Sequence, residues 1–355
     1  MCPDYDVASG GIRVIYRFVD ILNSEGIDSV VVHKSERFRP TWFENKTVIV
    51  GARNVRFQKG DILVIPEWYR QLTPWLAPGV PNLIFNQNAY ETFTDVPFER
   101  GKSTGVVSSD TVGIVGISED NLRYLGLCFP GMRVDAIRLS IDADLFHVAP
   151  EGKTKTIAYM PRKRLKELNQ ILHVLERRGS LQGWELLPII DVSEVEVARR
   201  LGVAAIFLAL NEREGIALPS LEAMASGCVV VGFHGGSGEE YMKPDVAIPI
   251  ADGEIASFVL AVELALQNWV NEDQAQKDMT TRAVELVKNR YTPALERADV
   301  IKVFGEALER VSDIEPGSDL LNWKILPSTS VELKKTASSL LEGKRTRTKR
   351  VRRNT

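Results

Sequence analysis

Two carboxylates eight positions apart, Glu214 and Glu222, flank a junction where an apolar run gives way to a helix-like one. Between them lies Gly215-Ile216-Ala-Leu218-Pro219-Ser-Leu, and after the second comes Ala-Met-Ala-Ser-Gly227, then Cys228-Val-Val-Val. An ionised carboxylate has two acceptor oxygens and no proton to give, so it can take hydrogen bonds from two vicinal hydroxyls. Backbone N–H groups around Ile216 to Leu221 would point out of a helix N-terminus, which favours phosphate or sugar oxygens. Two carboxylates set apart this way can hold two polyols, a ribose and a hexose, with a diphosphate between them. The competing reading is a surface loop plus a helical glutamate paired with a lysine, and for an isolated pair of glutamates it would prevail.

The elements that must position these groups are legible around them. Pro219 suits the first position of a helix and Gly227 the left-handed position that ends one. Apolar strands are expected at 204–210 before the motif and 228–232 after it. Further strands are expected at 29–33, 47–50, 62–65, 83–86, 113–117, 134–139, 156–160, 184–189 and 246–250. Helices are expected at 165–178, 254–269, 273–290 and 293–311, and a helical stripe from Ile12 to Leu22 follows Gly10-Gly11. Strands alternating with helices predict parallel α/β sheets. A polar stretch at 150–155 marks the expected linker, giving domains 1–150 and 151–312, a segment 313–342 packing back on the first domain, and a disordered end at 343–355. The start offers only Met1 to Tyr5 for the strand that normally precedes such a glycine pair, and Pro3 disfavours a central strand. Either that strand is stunted or the chain starts upstream.

The string E-G-x-x-L-P-x-L-E-A-M-A-x-G-x-x-V-V resembles the donor-site motif of retaining GT-B glycosyltransferases of the family-4 type. The resemblance runs in order from about residue 5 to 310. Ser9-Gly10-Gly11-Ile12 resembles the family's first glycine loop, which closes over the donor diphosphate; a plain tight turn is the alternative. Val115-Gly-Ile-Ser118 resembles the strand that leads into a helix. Arg138-Leu-Ser-Ile-Asp142-Ala-Asp144-Leu-Phe146 resembles a structural segment, so its Asp-x-Asp is not read as a metal site. Tyr159-Met-Pro-Arg162-Lys163-Arg-Leu-Lys166 stands where the family has G-R-x-x-x-x-K, although Pro161 replaces the glycine and the lysine spacing lands on Glu167. His234-Gly-Gly-Ser-Gly-Glu239-Glu240 resembles the glycine loop beside the donor. Near Asn86, Asn88 and Glu67, three candidates for the acceptor side, the family often has a histidine that this chain lacks.

The resemblance implies two Rossmann-like doubly wound domains facing across a cleft, and transfer of a hexosyl group from a nucleoside-diphosphate sugar to a hydroxyl acceptor with retention. It implies that Glu214 orients the donor sugar, Glu222 the ribose, and Arg162 with Lys163 or Lys166 the diphosphate. Backbone contacts would come from Gly10, Gly11, Gly215, Ile216 and Leu218. No metal or other cofactor is expected, because fixed cations and helix N-termini can stabilise the leaving phosphate. The alternatives are a GT-B nucleotide-sugar epimerase and a catalytically idle nucleotide- or glycan-binding scaffold. Gly101-Lys-Ser-Thr104 is not a P-loop, since Val96 stands where the first glycine is required, and no GxGxxG follows a strand.

Composition fits this class. The chain has 355 residues, a length suited to two α/β domains, with 44% hydrophobic and 26% charged residues. No apolar run reaches the ~20 residues of a membrane span, and no secretory signal opens the chain. Cys2, Cys128 and Cys228 form neither metal spacing nor an even disulfide set, which predicts reduced thiols in a cytoplasmic setting. The net charge of −3 hides an asymmetry: seven basic residues crowd Lys344 to Arg353, leaving 37 basic against 47 acidic residues elsewhere. A solubilising disordered end is one reading of that run. Others are a tether to an anionic membrane surface, which would make the protein peripheral at the inner face, and a tether to nucleic acid. The expected partners are the sugar donor and a glycan or lipid-linked acceptor.

Overall fold

Runs of Val, Ile, Leu and Ala without polar alternation require burial on both faces, as in a parallel sheet covered by helices. The computed structural model arranges them in this way, and describes all residues except 8, 97, 99, 101–104, 328–331 and 341–355. The basic run expected to be a tail, and the rejected P-loop segment 101–104, lie outside the described residues. The chain divides into two compact units, the first comprising 1–116, 124–136 and 300–355, the second 117–123 and 137–299.

Unit 1 opens with α1 (Gly10–Ser24), which buries Ile12, Val14, Tyr16, Phe18, Val19 and Leu22 on one stripe. Strands β1 (Val31–His33) and β2 (Ile49–Gly51) pair in parallel. Then come β3 (Leu63–Pro66), the short α2 (Thr73–Leu76), β4 (Asn82–Phe85), β5 (Thr111–Gly116), α3 (Glu119–Cys128) and β6 (Val134–Ala136). The order β3-β4-β5-β6 is parallel throughout. Two residues bridge the two sheets: the Met1 amine donates to Val64 O (2.7 Å) and the Cys2 N–H to Val32 O (2.9 Å). The spatial order is therefore β2, β1, the Met1-Cys2 pair, β3, β4, β5, β6, with Pro3 ending the pair where a strand would run on. Helix α1 is anchored behind it by a buried chain in which Tyr16 Oη meets His33 Nε2 (2.7 Å) and His33 Nδ1 meets Asp4 Oδ1 (3.1 Å).

Unit 2 contains β7 (Thr154–Tyr159), α4 (Leu165–Arg177), β8 (Glu185–Pro188), α5 (Glu194–Val203), β9 (Ala204–Leu210), α6 (Leu218–Ala225), β10 (Val229–Phe233), β11 (Ile248–Ile250), α7 (Ile255–Val270), α8 (Gln274–Arg290) and the start of α9 (Pro293–Val311). Its five strands are parallel in the order β8-β7-β9-β10-β11. Every residue of β9 is buried, as its central place demands. The core joins Ile157, Ile206, Leu208, Val229 and Val231 of the sheet to Leu168 and Ile171 of α4 and Phe258 and Val262 of α7.

The chain passes into unit 2 at Ile137, earlier than the polar stretch at 150 suggests. Residues 137–153 are tied down there: the Ile141 N–H donates to Tyr291 O (2.9 Å) and the Ala149 N–H to Gly202 O (3.1 Å). From Val300 the chain belongs to unit 1 again, so α3 and α9 each begin in unit 2 and end in unit 1. Beyond α9, Leu321, Leu326, Leu333 and Ala337 join Leu72, Leu76 and Val80 in the unit 1 core. Backbone bonds hold this segment, Gly317 N–H to Gly79 O and Asn322 N–H to Leu76 O, both 2.8 Å. Among the described residues, no helix is long and apolar enough to cross a membrane.

Candidate functional site

In a doubly wound sheet the connections reverse direction between two neighbouring strands, and the carboxyl ends of those strands leave a crevice for a ligand. In unit 2 that reversal lies between β7 and β9. The loop after β7 carries Arg162 and Lys163, and the loop after β9 carries Glu214. The two loops meet: Lys163 Nζ lies 2.9 Å from Glu214 Oε1, with both side chains partly open to solvent. Glu214 Oε1 also accepts from the Glu212 N–H (3.4 Å). Lys166, the other lysine open for the diphosphate role, is exposed in the first turn of α4, and Arg162 is exposed in the turn before it.

The loop that presents Glu214 is fixed from below. Asn211 and Ser220 exchange side-chain hydrogen bonds at 3.0 and 3.1 Å, both buried, and Tyr241 donates its hydroxyl to Ala217 O (3.3 Å). From above, the turn after β10 closes onto it: the Glu214 N–H donates to Gly235 O (3.4 Å), and Glu214 forms a parallel bridge with Gly236. Gly235 and Gly236 both have positive φ, and a Cβ on Gly235 would stand 2.3 Å from Glu212 O. Only glycine allows that approach.

Helix α6 starts at Leu218, with Pro219 in its second position rather than its first, and no side chain caps it. Gly215, Ile216 and Ala217 are buried immediately before it, so the N-terminus of the helix adjoins the Glu214 loop. Glu222 follows one turn later and is buried. Gly227 ends the helix at φ +72, with its N–H on Met224 O and the Cys228 N–H on Ala223 O (both 2.9 Å), the paired bonds of a Schellman motif. The acidic residues after the glycine turn do other work. Glu240 accepts from the Glu119 N–H (2.9 Å) and Tyr291 Oη (3.4 Å), and burial raises its pKa. Asp142 Oδ1 accepts from the Asp144 and Leu145 N–H groups (3.0 and 3.2 Å), a turn and not a metal cage.

One basic residue in this region went unread in the sequence. Arg164, in the left-handed conformation at φ +50, caps the start of α4 and lays its guanidinium 4.7 Å from the Phe233 ring centre while pairing with Asp252 and Glu167. Its role is to lock the β7 loop against the ends of β10 and β11.

Unit 1 has its own reversal point, between the Met1-Cys2 pair and β3, and a cavity of about 450 Å³ opens there. Its lining includes Pro3 and Tyr5 after the pair, Glu67 and Trp68 after β3, Gln87 after β4, and Gly11. Gly10 and Gly11 are the first two residues of α1 rather than a free loop. Gln87 Nε2 donates to Gly11 O (3.1 Å). Of the three acceptor-side candidates, Glu67 lines this cavity and the two asparagines are occupied with local structure. Asn86 is buried and donates to Thr92 Oγ1 (2.9 Å), and Asn88 Oδ1 accepts from the Tyr90 N–H (3.2 Å) to cap a short 3₁₀ turn. The residue between them, Gln87, faces the cavity, as the opposite-facing alternation at a strand end requires.

Glu67 is electrostatically unusual. Its Oε2 is shielded from solvent and has no hydrogen-bond partner. Burial pushes its pKa up to about 7, against the pull of the Gln87 and Glu67 N–H groups and of Arg70. The Arg70 guanidinium points elsewhere, donating to the backbone oxygens of Glu67 (3.2 Å) and Thr94 (2.9 Å) and standing 3.8 Å from Glu91.

No family model matches the chain. A relative from Actinobacillus pleuropneumoniae serotype 7 (strain AP76), named alpha-1,6-glucosyltransferase, is 25% identical over 312 residues, covering 85% of this chain and 92% of the relative. Among solved structures, the sucrose-phosphate synthase of Thermosynechococcus elongatus superposes with a TM-score of 0.63 at 11% identity, over 85% of this chain and 94% of that one. WaaG, a glycosyltransferase involved in lipopolysaccharide biosynthesis, gives a TM-score of 0.58 at 12% identity, over 85% of this chain and 98% of that one. With its two parallel α/β units, the chain has the GT-B fold.

Proposed function

We propose that this chain is a retaining glycosyltransferase of the family-4 type, moving a hexosyl group from a nucleoside-diphosphate sugar to a hydroxyl acceptor in the synthesis of a surface polysaccharide or glycoconjugate. The observation that carries the reading is the Lys163–Glu214 pair at the reversal point of unit 2, beside the N-terminus of α6. A cation, a carboxylate and a helix N-terminus at one strand edge are the three kinds of group that a phosphate next to a polyol requires. The name of the Actinobacillus relative supports glucose as the transferred sugar.

In this reading the donor diphosphate takes Lys163 from Glu214. Arg162 and the α6 N-terminus share the charge that develops as the bond from C1 to the phosphate oxygen breaks. Glu214, released, accepts from the sugar hydroxyls, and Glu222 accepts from the ribose. The acceptor hydroxyl attacks C1 on the face that the phosphate leaves, and its proton passes to the departing phosphate oxygen. Fixed cations supply the charge stabilisation, so the transfer is assigned no metal.

The test is a thermal-shift panel of UDP, GDP, dTDP, ADP and CDP on the wild type and Glu222→Ala. Ligand at 100 times its Kd adds ~2.7 kcal/mol of stability. One diphosphate should shift the wild type and lose its effect in the variant; a folded protein that answers to none of the five defeats the reading. Retention is then read from the anomeric coupling of the first-formed product by NMR.

A further inference from the structure

A buried carboxyl oxygen without a partner is costly and calls for an explanation. Glu67 Oε2 is such an atom, on a side chain that lines the cavity at the reversal point of unit 1. The cavity is of ligand size, since small-molecule sites run from about 300 to 1,000 Å³ and combine apolar walls with a few converging polar groups. Its walls follow that pattern, with Pro3, Tyr5 and Trp68 as apolar and aromatic surface and Glu67 and Gln87 as the polar pair. Gln87 is held in place by its bond to Gly11 O, so its remaining amide capacity has a fixed direction.

We propose that this cavity is a subsite for an uncharged pyranose and that Glu67 is the residue that selects against anionic sugars there. Resting on the transferase reading, this sugar is the acceptor. Aromatic surface suits the C–H face of a pyranose, while a carboxyl and an amide suit its hydroxyls. Among the described residues that line the cavity, none is a cation that would receive a carboxylate or phosphate on the ligand. Arg70, the guanidinium whose charge bears on Glu67, is committed to Glu91 and to two backbone oxygens. When Glu67 is ionised, a second negative charge within a few ångströms is opposed by Coulomb repulsion. With its proton on, Glu67 can both donate to and accept from sugar hydroxyls. The carboxyl therefore tolerates a neutral sugar in either state and opposes an anionic one when it is ionised.

The experiment is ligand-observed saturation-transfer NMR on the full chain at pH 8, above the Glu67 pKa of about 7. The probes are methyl α- and β-glucopyranoside, the methyl glycoside of glucuronic acid, and UDP, on wild type, Glu67→Gln and Gln87→Ala. Expected are binding of a neutral glucoside, at least about tenfold weaker binding of the glucuronide, and loss of that discrimination in Glu67→Gln, which keeps the neutral sugar. Gln87→Ala should weaken the neutral sugar and leave the discrimination in place. Equal binding of neutral and charged sugars by the wild type, or discrimination that survives in Glu67→Gln, overturns the proposal. UDP bound without any glucoside also overturns it and leaves the transferase reading standing. A discriminated glucoside without any nucleotide binding upholds the subsite and removes the transferase reading.

Discussion

At the residue scale, the two sites make opposite demands on their carboxylates. Glu214 is already paired and partly solvated, so its loss should cost little stability, under about 1 kcal/mol as for other exposed ion pairs. Its loss from a transition state that needs it should be far larger, on the order of a hundredfold in kcat for Glu214→Ala. Steady-state kinetics beside urea unfolding separates the two, and a variant that is inactive only because it is unfolded would refute the assignment. Glu67 should behave in the reverse sense. Its folded pKa of about 7 exceeds the unfolded value of 4.5, so the native state holds the proton more tightly. That contribution is fully present below pH 4.5 and is lost as pH rises through 7. Wild type should therefore lose up to roughly 3 kcal/mol relative to Glu67→Gln between pH 4.5 and 8, measured by urea unfolding of both proteins at each pH. Parallel curves would clear Glu67 of any such burden. The sequence exposed the first carboxylate through its spaced partner and hid the contribution of the second, since no spacing announces an orphaned oxygen. It also drew attention to Asn86 and Asn88, whose side chains satisfy local backbone and side-chain groups, and away from Gln87 between them, because strand-end alternation is a property of the register and not of residue type.

At the scale of elements, the long amphipathic and apolar segments were legible and the short or capped ones less so. Strand β9 and helix α9 fall on their expected spans because burial on all sides, and nineteen helical residues, leave periodicity little freedom. Helix α5 was overlooked although its signal is present: Ser193 Oγ accepts from the Glu196 N–H (3.3 Å), a Ser-x-x-Glu start. The Gly10-Gly11 pair was expected to be a loop and is the first turn of α1, where glycine leaves the N–H groups uncovered. The glycine turn after β10 gives an element-level test. Gly235→Ala must push its Cβ out of the Glu212 carbonyl while holding φ at +65, which should cost on the order of 3 kcal/mol. Because the same turn supports Glu214, nucleotide affinity should fall with it. An alanine variant that melts and binds as wild type does would show that the two loops separate freely.

At the scale of the whole molecule, the order of elements predicts two α/β units, but their borders follow contacts rather than composition. The polar stretch near 150 suggested a linker, whereas the chain is already part of unit 2 from Ile137, where Ile141 and Ala149 bond to Tyr291 and Gly202. Conversely, the segment after α9 completes the core of unit 1. Ending the chain at Ser312 removes the buried Leu321 and Leu326, worth about 2 kcal/mol each by burial alone, from a unit whose total margin is on the order of 5–15 kcal/mol. Hydrogen exchange followed by mass spectrometry should then show protection lost in β3 and β4 and kept in β7 and β9. Protection kept throughout would mean that unit 1 does not need the segment, and uniform loss that the units do not fold separately.

The split of α9 between the two units also bears on inheritance. In genetic terms unit 1 is a host and unit 2 is a guest, entering at Ile137 and leaving at Asp299, with only the seven residues 117–123 outside the insert. A single pair of crossovers at those joints would exchange unit 2 as a module between related genes, provided that the incoming half-helix continues the apolar stripe of the resident one. Chimaeras cut near 150, where the composition changes, would sever residues 137–149 from the unit that holds them, and should accumulate as insoluble protein.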